Sequence, residues 1–254
     1  MSKLEYFSLE GLRIDGRRER EVRNIEIACG FECDVDISGY DGASQIKHGL
    51  NKVQVLVKGP SEGGKALRGA QRALDDSVDI RVEVMFSTDK GPKSSKNDRM
   101  VTDIVNAIKG TFGEAIIQDM YKRLAIRIFV NIIEADGGIK STVLNAVGVA
   151  LIDAGIALRD LTSSCSVVLL ENRIFTDGNH LEINAATAEL TVAVYSSSGK
   201  MIYVDLRSKV PVKELDDLFD ACVRGTGHFS RIAKEKLRSH AFEIFALNQR
   251  IHGT

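Results

Sequence analysis

The chain has 254 residues, a formal net charge of −1 and 44% hydrophobic residues. That is enough apolar chain for one large core or two fused ones, and too even a charge for a protein that coats nucleic acid over its whole surface, which needs a broad basic face. A charged fraction of 27%, three prolines and the lack of a low-complexity tract exclude wholesale disorder and a fibrous repeat.

Four cysteines, Cys29, Cys33, Cys165 and Cys222, are scattered without the paired spacing of a zinc site or a disulfide framework, so reduced thiols inside a cell are expected. Cys29 and Cys33 have no second pair to complete a metal site, and the five histidines lack a ligand-type spacing. No metal and no cofactor is expected. The start MSKLEYFSLEGLRIDGRRERE has no apolar h-region, and no stretch reaches the roughly 18 apolar residues of a membrane span. Neither export nor a membrane partner is expected.

In chain order, GLRIDGRR at 11–18 reads as a basic β-turn before an N-terminal strand. Residues 53–57 fit a buried strand. A glycine-rich basic loop at 60–69 leads to a short helical patch near 70–74. Residues 78–84, VDIRVEV, alternate apolar with charged and predict a strand with one wet face beside the strand at 53–57. From 99 to 117, Val101, Ile104, Val105, Ile108, Phe112 and Ile116 recur at helical spacing, which predicts a surface helix. LAIRIFVNIIE at 124–134 is rich in β-branched residues and reads as a strand.

The stretch EADGGIKSTVLNAVGVALIDAGI follows. Its two glycines, Gly137 and Gly138, open a helix with Val143, Ala146, Val147, Ala150 and Leu151 on one side. Backbone N–H groups freed by such a turn, backed by the helix dipole, can face an anion, and Lys140 and Ser141 stand one step inside. With a strand at 163–170 the segment reads as strand, crossover helix, strand. Residues 190–195 and 201–206 flank the turn SSSGK as a hairpin. From 212 onward the chain is helical, with Gly225 and Gly227 expected to interrupt or bend it. The class is α+β: two sheet-containing lobes, 1–152 and 153–254, packed with helices, and a faint echo of one half in the other.

GLRIDGRRERE at 11–21, GLNKVQVLVKGP at 49–60, the basic loop and helix at 90–109, EADGGIKS at 134–141, ALIDAGI at 150–156 and DGNHLE at 177–182 resemble, in order and spacing, the RNase PH family of phosphorolytic exoribonucleases, most of all its eukaryotic exosome-core branch. The resemblance implies a duplicated β-α fold of the ribosomal protein S5 domain 2-like type in a six-membered ring of RNase PH-like subunits. It also implies S1/KH cap proteins, a separate hydrolytic exonuclease, single-stranded RNA threaded through the pore, and work in nucleus, nucleolus and cytoplasm.

Active members would need a cationic cradle for phosphate and a carboxyl group to help the 3′ oxygen depart. By the resemblance, the family's glycine–threonine/serine–arginine turn corresponds to Gly138-Ile139-Lys140, its second arginine to Met100, and its two aspartates to Asp177 and Ile183. A thioether and a branched alkane carry no charge. Glu182 lies one residue off, which in an extended segment faces the other side, and His180 is misplaced for the chemistry. The expectation is therefore no catalytic residue and no enzyme: Asp177 a remnant, Met100 and Ile183 losses, and Gly137, Gly138, Lys140 and Ser141 a vestigial phosphate site. A phosphate-dependent exoribonuclease is the alternative. RNA contact is expected from Lys65 and Arg68, near Arg72, and from Lys93, Lys96 and Arg99, near Lys90, by backbone tracking, since no aromatic residue accompanies them.

Overall fold

In the computed structural model, which describes Tyr6, Ser8 and residues 11–62, 78–87 and 95–252, the β-branched runs of the first half assemble into one five-stranded sheet. Its strands are β1 (Ile25–Cys29), β2 (Gly42–His48), β3 (Asn51–Glu62), β4 (Asp79–Phe86) and β5 (Leu124–Glu134), in the order β1-β2-β3-β5-β4. Alternation sets its inner face: Val53, Val55 and Val57 of β3, all fully buried, lie opposite Ile132, Val130 and Ile128 of β5. The strand at 78–84 is thus not the neighbour of the one at 53–57, because β5 lies between them.

The crossover unit is also elsewhere than expected. β4 pairs parallel with β5, and parallel neighbours need a long connection, which α1 (Ser95–Ala115) supplies. The strands on either side of the glycine pair, β5 and β6 (Thr162–Leu170), belong to different sheets. Beside β6 in the second sheet are β7 (Arg173–Thr176), β8 (Ala188–Tyr195) and β9 (Met201–Arg207), antiparallel throughout in the order β7-β6-β8-β9.

Between the sheets runs α2 (Ile139–Asp153), buried from Ile139 to Leu151 on every side. A helix with one apolar side was expected. An interior helix must instead satisfy its polar groups within the protein. Asn145 does so by donating to the carbonyl of Ser164 at 2.9 Å and accepting from its amide at 2.7 Å. The core around α2 takes in the inner face of the first sheet together with Ala193 and Tyr195 of β8.

β6 is buried on both faces: Val167 and Leu169 pack toward Leu218, Ala221 and Cys222 of α4 (Val212–His252), and Val168 and Leu170 toward Phe175 and Ile183. α4 is one unbroken helix of 41 residues, so the expected interruption at Gly225 and Gly227 does not occur. A Cβ on Gly225 would run into the side chains of Cys165 and Thr176, so this glycine lets the helix pack close to the sheet. The helical patch expected near 70–74 lies outside the described residues.

Candidate functional site

Where β5 ends, the chain turns through Asp136, Gly137 and Gly138 into α2. Gly137 and Gly138 have φ of 79° and 61°. A Cβ on Gly137 would come within 2.6 Å of the Asn179 backbone, and one on Gly138 within 2.6 Å of the Ser166 hydroxyl. Both positions require glycine. Every carbonyl of the turn is tied down. Arg23 donates to Asp136 O at 2.8 Å and Gly137 O at 3.1 Å, Asn51 donates to Gly137 O at 2.7 Å, and the Ser141 hydroxyl donates to Gly138 O at 2.7 Å. Gly138 is the N-cap, and no side chain caps the helix, so the first-turn N–H groups of α2 are left for an outside acceptor.

Beneath the turn lies Asp177, 1% exposed. One carboxylate oxygen accepts from Arg23 at 2.6 Å; the other accepts from the Arg23 amide and Nε, both at 2.9 Å, and lies 3.0 Å from His48 Nε2. Burial opposes this charge, yet His48 and Arg23 hold the carboxyl well below the usual carboxylate range. Arg17 reaches Asp177 as well, donating to its carbonyl at 3.1 Å. Asp177 therefore fastens the N-terminal segment and, through Arg23, the glycine turn; its carboxylate is fully engaged and does not face an open site.

The open side of the turn belongs to Lys140. Its side chain is 9% exposed, and its ammonium pairs with Asp205 of β9. Arg207, two residues along the same strand, lies 3.3 Å from Glu189 of β8, 3.6 Å from Asp103 of α1 and 4.0 Å from Asp205. Burial pushes the Glu189 carboxyl up; Arg207 and Lys140 pull it down, and Asp205 adds to the push. Two cations and three carboxyl groups, one of them with its pKa raised by burial, thus meet beside an uncapped helix. Such a cluster can take a phosphate oxygen in place of Asp205 and can lend a proton to a departing oxygen.

The structure brings Gly137, Gly138, Lys140 and Ser141 together as expected from their adjacency, with Asp177 and the His180 amide packed against the same turn. Ile183 is half-buried against Val168 and Phe175. Met100 is half-buried against the first-sheet core, one turn before Asp103. Glu182 is not in an extended segment: it occupies the third position of α3 (His180–Ala185), in a capping box with Asn179, and its carboxylate forms a buried ion pair with Arg13. His180 is exposed and hydrogen-bonds Asn184 at 2.9 Å. Arg99 is exposed on α1. Lys65, Arg68 and Lys93 lie outside the described residues, as does the side chain of Lys96.

Asp205, Glu189 and Arg207 were missed. The hairpin was legible, but an irregularity between Ala193 and Val194 moves the register: Val194 faces Met201 while Glu189 faces Arg207. Pairing carried back from the turn without that slip would set Glu189 opposite Leu206.

Residues 21–157 match the family described as "3′ exoribonuclease family, domain 1" (RNase PH). The chain is similar to exosome complex component SKI6 of Saccharomyces cerevisiae, with 33% identity over 95% of this chain and 96% of that one. It is also similar to exosome complex component Rrp41 of Thermococcus onnurineus, with 28% identity over 95% and 94%. Among solved structures, rice (Oryza sativa) Rrp46 superposes with a TM-score of 0.74 at 17% identity, covering 89% of this chain and all of that one. A chain of the Archaeoglobus fulgidus exosome with RNA bound to the active site superposes with a TM-score of 0.67 at 19% identity, covering 90% and 93%. These superpositions show the fold, which is RNase PH-like. The expectation that the chain is no enzyme does not stand. The matched family is one of exoribonucleases and includes archaeal relatives of the Rrp41 type. Hydrocarbon at 100 and 183 does not establish inactivity when Arg207 gathers Glu189 of β8, Asp205 of β9 and Asp103 of α1 beside the Lys140–Asp205 pair.

Proposed function

The chain belongs to the RNase PH family of 3′ exoribonucleases, and from that premise we propose that it serves in an exosome-type core ring beside other RNase PH-like subunits and receives RNA phosphate at the Lys140 turn. One observation carries the reading: an uncapped helix N-terminus whose carbonyls are all tied back, with Lys140 and Arg207 at its mouth. The exosome names of its relatives and the RNA-bound archaeal structure support it. Caps of S1/KH type, a separate hydrolytic nuclease and work in nucleus and cytoplasm belong to the same proposal and rest on the eukaryotic branch the motifs resemble. The test is RNA retention by the assembled ring on a filter. Lys140→Ala with Arg207→Ala is expected to weaken it at least about tenfold, the effect of one lost charge-assisted contact. Unchanged retention would sink the reading.

A second reading, in which the same cluster carries out phosphate-dependent cleavage, is favoured by the raised carboxyl of Glu189 beside the two cations. Phosphate held by the turn and Lys140 would attack the terminal phosphodiester, and Glu189 would protonate the departing 3′ oxygen. Incubating the ring with end-labelled RNA and inorganic phosphate should then release nucleoside diphosphates, and Glu189→Gln should slow release about a hundredfold or more. Silence in the wild-type ring would remove this second reading and leave the first intact.

A further inference from the structure

On the other side of Thr176 from the buried Asp177 network, a cleft of about 370 Å³ opens between the N-terminal segment and α4. Its walls are Arg20 and Val22 on one side, and Ala221, Arg224, Gly225 and His228 on the other. The shape follows from packing. Gly225 presses α4 against Cys165 and Thr176, so Arg224 and His228, one helical turn apart on the same face, flank the incoming chain.

The cleft is electropositive. Among the described residues neither Arg20 nor Arg224 makes an ion pair. Arg224 Nε donates to the carbonyl of Asp220 at 3.2 Å, which holds the guanidinium in place and leaves its terminal nitrogens to a ligand. The acid at the rim, Glu21, turns its carboxylate to the amide of Arg18 at 3.0 Å. Burial, with the charges of Arg231 and His48, pushes the His228 imidazole down, as expected where positive charge lacks a counterion. Two guanidinium groups lining a cleft whose other walls include apolar Val22, Ala221 and Gly225 match the several oxygens of a phosphate better than the single plane of a carboxylate. The volume is at the small end of ligand pockets, the size of one nucleotide.

We propose that this cleft is a second phosphate site, distinct from the Lys140 turn, that holds the phosphate group of a nucleotide or of an RNA strand between Arg20 and Arg224 with His228 beside it. The test is a titration of the full chain, isotope-labelled, with inorganic phosphate, adenosine monophosphate and a short oligoadenylate in separate arms, reading the His228 ring resonances and the Ile139–Thr142 amides. A saturable shift at His228 is expected in at least one arm; the arm that responds tells a bare phosphate from a nucleotide and from a backbone. Arg20→Ala with Arg224→Ala should weaken that shift at least tenfold, with thermal unfolding unchanged because both side chains are exposed. Arg224→Lys, which keeps the charge and loses the fork, should fall between. Lys140→Ala should abolish movement of the Ile139–Thr142 amides and leave His228 responsive. The proposal is overturned by a silent His228 in all arms, by a shift that survives the double variant, or by one that vanishes with Lys140→Ala, which would place the anion at the turn.

Discussion

Arg23 is the residue on which the site's local order depends most, since it binds the carbonyls of Asp136 and Gly137 with the same guanidinium that neutralises buried Asp177. Arg23→Ala should cost about 3 kcal/mol in urea unfolding, because it strands a carboxylate in the interior. The folded carboxyl of Asp177 lies below its unfolded value, so its contribution is present above about pH 4 and is lost as pH falls below that. Wild type should show that acid loss in its urea midpoint, and Asp177→Asn should lack this component of it. Little of this was legible. The run GLRIDGRR reads as a basic β-turn before an N-terminal strand, yet Arg13 is 3% exposed and clamps Glu182, and Arg17 reaches Asp177. Sequence spacing cannot show which arginines of a basic run find acids some 160 residues away.

At the scale of elements, α4 shows how two glycines of one helix differ. Gly225 meets Cys165 and Thr176, whereas Gly227 has nothing within 4 Å. Gly227→Ala should stabilise the protein by about 0.5–1 kcal/mol through helix propensity, and Gly225→Ala should destabilise it by roughly 1–3 kcal/mol through overpacking, both read as shifts in thermal midpoint. Equal gains at both positions would contradict the packing. The expectation of an interruption came from intrinsic propensity, which tertiary contact overrides here. The opposite holds for the glycine pair ahead of α2: the local pattern of strand, two glycines, helix and lysine was sufficient to find the turn. The same pattern concealed that α2 lies between two sheets, because its polar Asn145 and Ser141 look like a wet face until their buried partners are known.

For the whole molecule, the basic residues from Lys93 to Arg99, the last of them on α1, carry an RNA-path prediction that belongs to the assembled ring. Lys93→Glu, Lys96→Glu and Arg99→Glu together should shorten the RNA segment protected from added nuclease, and the loss should shrink at high salt, as phosphate contacts do. Full protection in the triple variant would leave the ring a scaffold at these positions. By itself the sequence determined the longer strands and helices, the glycine turn and the family, because these rest on local periodicity and on motifs short enough to be contiguous; the short elements β7 and α3 escaped it. Only the tertiary structure decided that Lys140 meets Asp205, that Arg207 joins Asp205 to Glu189 and Asp103, and that Asp177 is a buried anchor. The physical reason is that ion pairs between distant segments are set by sheet order and by a single register slip, and neither leaves a mark in the periodicity of either strand.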